Sequence, residues 1–356
     1  MSSLWRCTVY ILINITFFIG YSPMQRLRMG IVGSGRLGAF HAAKAAKHEE
    51  VELAGIYDVN DEIARTTAER FDSWVFDTPE ALANAVQAVV IAVPSVQHAE
   101  MAGFFLEQGL SLLIEKPMTT TADDAKMLIE LAEKNNAKIM VGHTEQYNPA
   151  WESGRQLLRS GVPCLIDARR TSGYTFRSTD IGAVLDLMIH DLELILSALP
   201  NEEIVQIDAF GFAMMGGHED FAQARLAFTN GTTANLTASR VEQEAMRCMK
   251  ITSAYETCVM DFATRTVTSH SATDDVRAGN YAPDRLSAED IATIQPTFMQ
   301  TGFRSSSESF PAVDALTLEM ADFVGMIRHG VTPKATAKNA ARAVTVAEQI
   351  LARMRS

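Results

Sequence analysis

The chain has 356 residues, of which 47% are hydrophobic and 21% are charged, and its formal net charge is −12. This length suffices for two domains with buried cores, and the composition is that of a soluble globular protein. The acidic balance argues against a nucleic acid or an anionic membrane as partner, because both require a clustered basic surface. An anionic ligand must therefore be met by local positive groups.

The N-terminal stretch 9–20 is the one membrane-like segment of the sequence. It is shorter than the roughly 20 residues needed to span a bilayer, and neither a small-x-small cleavage site nor a twin-arginine pair accompanies it. We interpret residues 1–23 as a spurious leader before a start at Met24 or Met29, with a targeting segment as the alternative. The four cysteines have neither C-x-x-C nor metal-ligand spacing, which indicates free thiols, no metal site and a reducing compartment. We therefore expect a cytoplasmic protein.

The stretch from Met29 to Gly38 is an apolar run that breaks into three glycines, and it predicts a strand turning into a helix. The first glycine permits a tight turn, the second lets the backbone approach a pyrophosphate, and the third lets helix and strand pack closely. The phosphates would rest on the helix N-terminus, whose unpaired N–H groups and dipole favour an anion. The predicted cofactor contacts in this turn are Gly33, Ser34, Gly35, Arg36, Leu37 and Gly38.

The elements after the glycines matter because a lone G-x-G-x-x-G is a weak signal. A helix predicted over 37–47 leads to a second apolar run that ends in Asp58, twenty positions beyond Gly38. A carboxylate there accepts hydrogen bonds from the adenosine ribose and repels a 2′-phosphate. We therefore expect NAD rather than NADP as the cofactor. The alternative is a glycine-rich turn followed by a surface aspartate.

Helices and strands alternate up to residue 145, which predicts a Rossmann domain with a doubly wound parallel sheet over 24–145. The predicted helices cover 61–70, 78–84, 99–108 and 121–135, and the predicted strands cover 51–58, 74–76, 88–93, 110–114 and 138–142. Ligands bind outside the carboxyl ends of such strands. Pro94, Ser95 and His98 follow one strand and are expected beside the cofactor. Glu115 and Lys116 follow the next strand, and Lys116 should point toward the nicotinamide unless it is an ordinary solvated lysine.

From residue 204 onward the pattern changes, because strand-like runs follow one another without helices between them. After a helix over 149–160 and a strand over 164–171, the predicted strands cover 204–212, 222–228, 233–239, 248–252, 257–262 and 266–270. This succession predicts an α+β domain over 146–356 that is built on a large, mostly antiparallel open sheet. The outer face of such a sheet needs a cover, so we expect a homodimer or homotetramer.

The end of the second predicted domain has a different composition. Residues 271–312 are rich in Ser, Thr, Asp, Gly and Pro and are too long for an ordinary connection, so we expect a partly ordered arm or lid. Helices predicted over 313–328 and 337–354 complete the chain. We assign substrate binding and oligomerisation to this second domain.

The most informative helix is predicted over 181–199, where apolar residues cover most of the circumference and four polar residues fall within a stripe about 60° wide. The four residues are Asp186, His190, Glu193 and Ser197. Asp186 and His190 are spaced i, i+4 and can touch, and a neighbouring carboxylate orients a histidine and raises its proton affinity. We predict that His190 accepts the hydroxyl proton of an alcohol, that Asp186 orients it, and that Lys116 polarises the oxygen. A stripe that faces solvent is the alternative.

Together, Gly33-x-Gly-x-x-Gly38, Glu115-Lys-Pro117 and Asp186-x-x-x-His190 resemble the motifs of the Gfo/Idh/MocA oxidoreductases, which include inositol and sugar dehydrogenases. The resemblance runs from about Arg28 to the C-terminus. It implies a Rossmann domain, a mixed-sheet domain, and dimers or tetramers that assemble through that sheet. It also implies that Lys116, Asp186 and His190 form the catalytic group.

The stretches 141–149, 184–191 and 234–240 are similar to a branch of this family that contains UDP-N-acetylglucosamine 3-dehydrogenases. Gln146 stands where an arginine is expected before the aromatic Tyr147. We expect Tyr147, Arg170 and His190 to contact a sugar or sugar-nucleotide substrate. The positive charge that a diphosphate requires would come from among Arg169, Arg170, Arg177 and Arg240. Two other functions stay open, a free polyol or inositol dehydrogenase and a non-catalytic NAD-binding sensor.

Overall fold

A computed structural model describes residues 25–159 and 161–354 of the protein. The predicted leader, residues 1–23, lies outside the described residues. No helix in the described ranges is both long and apolar enough to cross a membrane.

Five parallel strands form the first sheet, in the order β2-β1-β3-β4-β5. The strands are β1 (Leu27–Val32), β2 (Val51–Tyr57), β3 (Ala88–Ile91), β4 (Ser111–Glu115) and β5 (Ile139–Gly142). The helices between them are α1 (Arg36–Ala45), α2 (Asp61–Arg70), α3 (Pro79–Ala85), α4 (His98–Glu107) and α5 (Ala122–Lys134). The predicted strand 74–76 is reduced to one bridge between Val75 and Ile56. Strand order reverses between β1 and β3, and a ligand crevice is expected at such a switch point.

The second sheet has eight strands in the order β13-β12-β11-β10-β6-β9-β8-β7. They are β6 (Leu165–Thr171), β7 (Ile204–Phe212), β8 (Phe221–Phe228), β9 (Thr233–Ser239), β10 (Met246–Thr252), β11 (Glu256–Asp261), β12 (Thr266–Ala272) and β13 (Phe303–Ser309). All neighbouring strands are antiparallel except β6 and β9. The fold class predicted from the sequence, a parallel Rossmann sheet followed by a mostly antiparallel one, is therefore confirmed.

Two helical stretches precede strands of the second sheet. Helices α6 (Pro149–Gly154) and α7 (Gln156–Arg159) occupy the region predicted as one helix before β6. The buried helix predicted over 181–199 begins with π-helical turns at Val184–Met188 and continues as α8 (Ile189–Ala198).

The prediction of an arm or lid over 271–312 is wrong for its last part, which is the edge strand β13. This strand pairs antiparallel with β12 over its whole length. The short helices α9 (Asp274–Arg277), α10 (Ala288–Ile294) and α11 (Phe298–Thr301) connect the two strands. The sequence of β13, Phe-Arg-Ser-Ser-Ser-Glu-Ser, has no apolar alternation because the strand is exposed on most of its length.

A continuous core joins the two sheets. One hydrophobic cluster covers one face of the first sheet with α4 and α5 and extends to α8, the second sheet and α13 (Ala337–Met354). The other face is covered by α1, α2 and α12 (Ala315–His329), whose Met320 and Phe323 pack with Met29 and Ile31. The division of the chain at residue 145 stays a prediction, and α12 lies on the first sheet although it belongs to the second predicted domain. This packing fixes the two sheets against each other.

Candidate active site

The glycine-rich turn between β1 and α1 leaves open space at its middle glycine. Gly33 has φ +81°, and a Cβ on it would lie 2.7 Å from the carbonyl oxygen of Ala92. A Cβ on Gly38 would overlap the carbonyl oxygen of Gly33, whereas a Cβ on Gly35 would meet no atom within 4 Å. Helix α1 begins here with no side-chain cap and no acidic residue in its first turn. Its free N–H groups can therefore receive an anion over Gly35.

Asp58 lies just beyond β2 and is oriented by Ser34. Its Oδ2 accepts hydrogen bonds from the Ser34 backbone N–H at 2.6 Å and from the Ser34 hydroxyl at 3.2 Å. Its Oδ1 accepts from the Asn60 N–H at 2.9 Å. Ser34 is buried and positions the carboxylate, and its predicted contact with the cofactor stays a prediction. Leu37 follows on α1 and is partly exposed.

A cavity of about 350 Å³ lies between the carboxyl edge of the first sheet and a loop of the second sheet, and we call it the inter-sheet cavity. Its lining residues are Arg36, Leu37, Ala92, Val93, Pro94, Ser95, His98, Glu115, Lys116, Arg177, Ser178, Asp180, Ile181 and Asp186. The Ser95 N–H donates to Asp180 Oδ2 at 2.9 Å, which joins the two walls. The structure therefore brings together residues predicted separately after β3, after β4 and in the helix at 181–199.

Lys116 and Asp186 form an ion pair across this cavity. The Lys116 ammonium donates to Asp186 Oδ1 and to the Asp186 carbonyl oxygen, both at 2.8 Å. Neither side chain is more than about one-fifth exposed. The lysine is therefore fixed at the cavity wall, and the alternative of a solvated surface lysine is ruled out.

Buried groups behind Lys116 hold its backbone. Glu115 accepts a hydrogen bond from the Lys116 N–H at 3.2 Å and from His41 Nε2 at 2.6 Å. Burial raises the pKa of Glu115, but the His41 hydrogen bond and charge outweigh it, so the carboxyl is more acidic than usual. His98 places its ring nitrogens 2.7 Å from the Pro117 carbonyl and 3.0 Å from the Val93 carbonyl. Glu115 and His98 therefore hold the loop that carries Lys116 in place. Both ring nitrogens of His98 already lie at carbonyl oxygens of the chain, and the predicted contacts of Glu115 and His98 with a cofactor stay predictions.

His190 is not oriented by Asp186, so that part of the prediction is wrong. Asp186 bonds Lys116 and makes no hydrogen bond to His190 within the described chain. Asp186 lies within the π-helical turns at Val184–Met188, and its carboxylate is engaged by the Lys116 ammonium instead.

The His190 ring has one buried edge and one accessible edge. Nδ1 is buried without a hydrogen-bond partner in the described chain, while the residue as a whole is partly exposed. The Nε2 edge is therefore the one open to a ligand, although His190 does not line the inter-sheet cavity itself. Burial lowers the pKa of His190 well below its usual range, and the charges of Lys116 and Arg170 lower it further. The expected rise in proton affinity is thus reversed, and the ring is neutral.

His143, which the sequence analysis missed, packs edge-on against His190 with ring centroids 6.3 Å apart. It is buried, and neither ring nitrogen has a partner in the described chain. Burial and the Lys116 charge lower the pKa of His143 to about 3. The residue directly follows β5, so the rule that placed Lys116 at a strand's carboxyl end would also have found it.

The remaining polar residues of the predicted stripe face the protein interior. The Gln146 amide donates to Glu193 Oε2 and to the Ser197 hydroxyl, both at 2.8 Å. Trp151 donates in turn to Gln146 Oε1 at 3.2 Å. Burial raises the pKa of Glu193 to about 8. Glu193 and Ser197 therefore belong to a buried network with Gln146 and form no part of the cavity.

Two further predicted substrate contacts, Tyr147 and Arg170, bond carboxylates of the chain itself, and their contact with a substrate stays a prediction. The Tyr147 hydroxyl is part-buried and donates to Asp322 at 2.6 Å. Arg170 is 3% exposed and donates to Asp191 and Glu145, each at 2.8 Å. Two carboxylates therefore bind this buried guanidinium from within the chain. The ion pair with Arg170 also explains how Asp191, an acid outside the predicted stripe, can be buried.

Comparisons with known proteins agree with the two-sheet fold. Residues 27–143 match the profile of an oxidoreductase family with an NAD-binding Rossmann fold, and residues 158–253 match the GFO/IDH/MocA C-terminal domain. A UDP-N-acetylglucosamine 3-dehydrogenase of Acidithiobacillus ferrooxidans is 38% identical over 64% of this chain and 72% of its own length. A solved structure of that organism's enzyme has a TM-score of 0.79 at 31% identity and covers 93% of this chain and 98% of its own. An inositol 2-dehydrogenase of Rhizobium meliloti is 26% identical over 60% of this chain and 69% of its own length.

Proposed function

Because this chain belongs to the Gfo/Idh/MocA family of oxidoreductases, we propose that it is an NAD-dependent dehydrogenase that oxidises the 3-hydroxyl of UDP-N-acetylglucosamine. The observation that carries the proposal is the Lys116–Asp186 ion pair in the inter-sheet cavity, beside the uncapped N-terminus of α1. The 38% identity to a UDP-N-acetylglucosamine 3-dehydrogenase supports the choice of sugar.

The residues of the first sheet fit a dinucleotide. The open space over Gly35 admits a pyrophosphate at the α1 N-terminus, and Asp58 stands where an adenosine ribose would be bound. The Asp58 carboxylate disfavours a 2′-phosphate, so NAD is preferred over NADP. When bound, the cofactor supplies a nicotinamide ring that accepts a hydride from the substrate carbon.

The chain's own residues then stabilise the charge on the substrate oxygen and accept the hydroxyl proton. The Lys116 ammonium stabilises negative charge that develops on the substrate oxygen, and Asp186 holds that ammonium in place. His190 accepts the hydroxyl proton at Nε2. Burial keeps the ring neutral and so able to accept a proton, although the lowered pKa makes it a weaker base than a solvated histidine.

The direct test is absorbance at the reduced-nicotinamide band, with NAD and either UDP-N-acetylglucosamine or inositol. We expect reduction with the sugar nucleotide, and a loss of roughly 100-fold or more in His190→Ala and in Lys116→Met. The control is His270→Ala, since His270 is an exposed histidine on β12. Turnover of inositol alone would move the assignment to a polyol dehydrogenase. NAD binding without turnover of any sugar would favour a non-catalytic sensor.

We propose a cytoplasmic homodimer or homotetramer that assembles through the open face and edge of the second sheet. Exposed apolar side chains on and after β7 support this, with Phe210 63% and Met214 68% exposed. Light scattering on the purified protein would decide, because a monomer at micromolar concentration contradicts the assembly.

A further inference from the structure

One cation of the inter-sheet cavity is free to meet a ligand. Arg177 is exposed, lines the cavity, and forms no hydrogen bond or ion pair with any residue in the described ranges. Among the other arginines expected to serve a diphosphate, Arg170 and Arg240 are buried in ion pairs. Arg169 is exposed on β6 and does not line the cavity. Arg177 is therefore the one of these four arginines that lines the inter-sheet cavity and can meet an anion bound there.

The loop that carries Arg177 has a defined shape. The Arg240 guanidinium donates to the carbonyl oxygens of Ser178 at 3.2 Å and Ile181 at 2.8 Å. Phe176 and Ser178, on either side of Arg177, have φ of +54° and +51°. Residues other than glycine keep such angles only where the surroundings impose them, often at ligand clamps. Arg177 is thus presented to the cavity by an anchored loop.

Cations lie on both walls of the inter-sheet cavity. Arg36 opens α1, where the cofactor pyrophosphate would lie, while Arg177 comes from the opposite wall. The carboxylates of that wall are engaged, since Asp180 accepts from Ser95 and Asp186 from Lys116. The chain's net charge of −12 repels anions at long range, so an anionic substrate needs a local cation.

We propose that Arg177 binds the diphosphate of a sugar-nucleotide substrate. A guanidinium suits this role because its planar donors can pair with two phosphate oxygens. The proposal rests on the proposed dehydrogenase function and specifies the substrate class at that site. It makes the chain selective for a nucleotide sugar over a free polyol.

The test measures UDP binding to the NADH-loaded protein by calorimetry, alongside NADH binding by fluorescence. We expect Arg177→Gln to weaken UDP by roughly 10- to 100-fold and to leave the NADH affinity unchanged. Arg177→Lys should lose less UDP affinity, because lysine keeps the positive charge although it lacks the planar pair of N–H donors of a guanidinium. The control is Arg225→Gln, at an exposed arginine on β8 that does not line the inter-sheet cavity, and this variant should bind both ligands as the wild type does. In turnover, Arg177→Gln should raise KM for UDP-N-acetylglucosamine far more than it lowers kcat.

The outcomes separate this proposal from the proposed function. If UDP affinity is absent in the wild type, or unchanged in Arg177→Gln, the diphosphate site is refuted whatever the enzyme oxidises. If Arg177→Gln weakens NADH instead, the guanidinium serves the cofactor and the proposal is also refuted. If UDP binding depends on Arg177 but UDP-N-acetylglucosamine is not oxidised, the site stands and the assigned substrate fails.

Discussion

Glu193→Gln should remove a pH dependence from the stability of the folded chain. Glu193 is 1% exposed and receives its hydrogen bonds from Gln146, with no cation to balance a charge. Burial raises its pKa from 4.5 to about 8. Between these values the folded chain keeps a proton that the unfolded chain has released. The contribution of the protonated Glu193 to the unfolding free energy is therefore fully present below the unfolded pKa, and this contribution is lost as the pH rises toward 8.

The size of the effect follows from linkage. Each pH unit in this window costs about 1.4 kcal/mol of unfolding free energy, and the whole window costs roughly 4–5 kcal/mol. A glutamine has the shape of the protonated acid and cannot ionise. The unfolding free energy of Glu193→Gln, measured relative to that of the wild type, should therefore rise by about 1.4 kcal/mol for each pH unit in this window.

Urea unfolding at several pH values between about 5 and 8 measures this difference. The fluorescence of buried Trp151 is a suitable probe, because its indole bonds Gln146 directly. Glu107→Gln serves as the control, since Glu107 is exposed at the end of α4. Parallel pH profiles for the wild type and Glu193→Gln would refute the reasoning and show that Glu193 is ionised in the fold.

Three further predictions concern the buried ion pairs and the cofactor turn. Arg170→Met should destabilise the fold by about 3–5 kcal/mol in thermal or urea unfolding, because Asp191 would stay buried without its cation; a change below 1 kcal/mol would contradict this. Gly35→Ala should fold normally but bind NADH weakly in a fluorescence titration, whereas Gly38→Ala should fail to fold stably, since only the latter Cβ overlaps backbone. Equal behaviour of the two variants would argue against a pyrophosphate over the turn. Asp58→Ala should lower kcat/KM for NAD and raise it for NADP, and an unchanged ratio would mean that Asp58 does not select the cofactor.

Local chemistry made much of the first sheet predictable. The glycine spacing predicted a tight turn at Gly33 and close packing at Gly38, and both are seen, while the pyrophosphate expected over Gly35 stays a prediction. Thr78 caps α3 through its side chain, with Pro79 in the first helical turn, close to the start of the helix predicted over 78–84. The location of Lys116 after a buried parallel strand was enough to aim it at the cavity.

The sequence by itself determined the succession of elements, because apolar period, caps and glycine positions act within a few residues of one another. Only the tertiary structure decided which polar side chains stay free. Arg170 and Arg177 look alike in the sequence, yet the first meets two carboxylates from distant segments and the second meets none in the described chain. Asp186 pairs with Lys116 of the first sheet and not with His190, its neighbour four residues on. Partners brought together across the fold determine the charge and availability of a side chain, and local sequence carries no record of them.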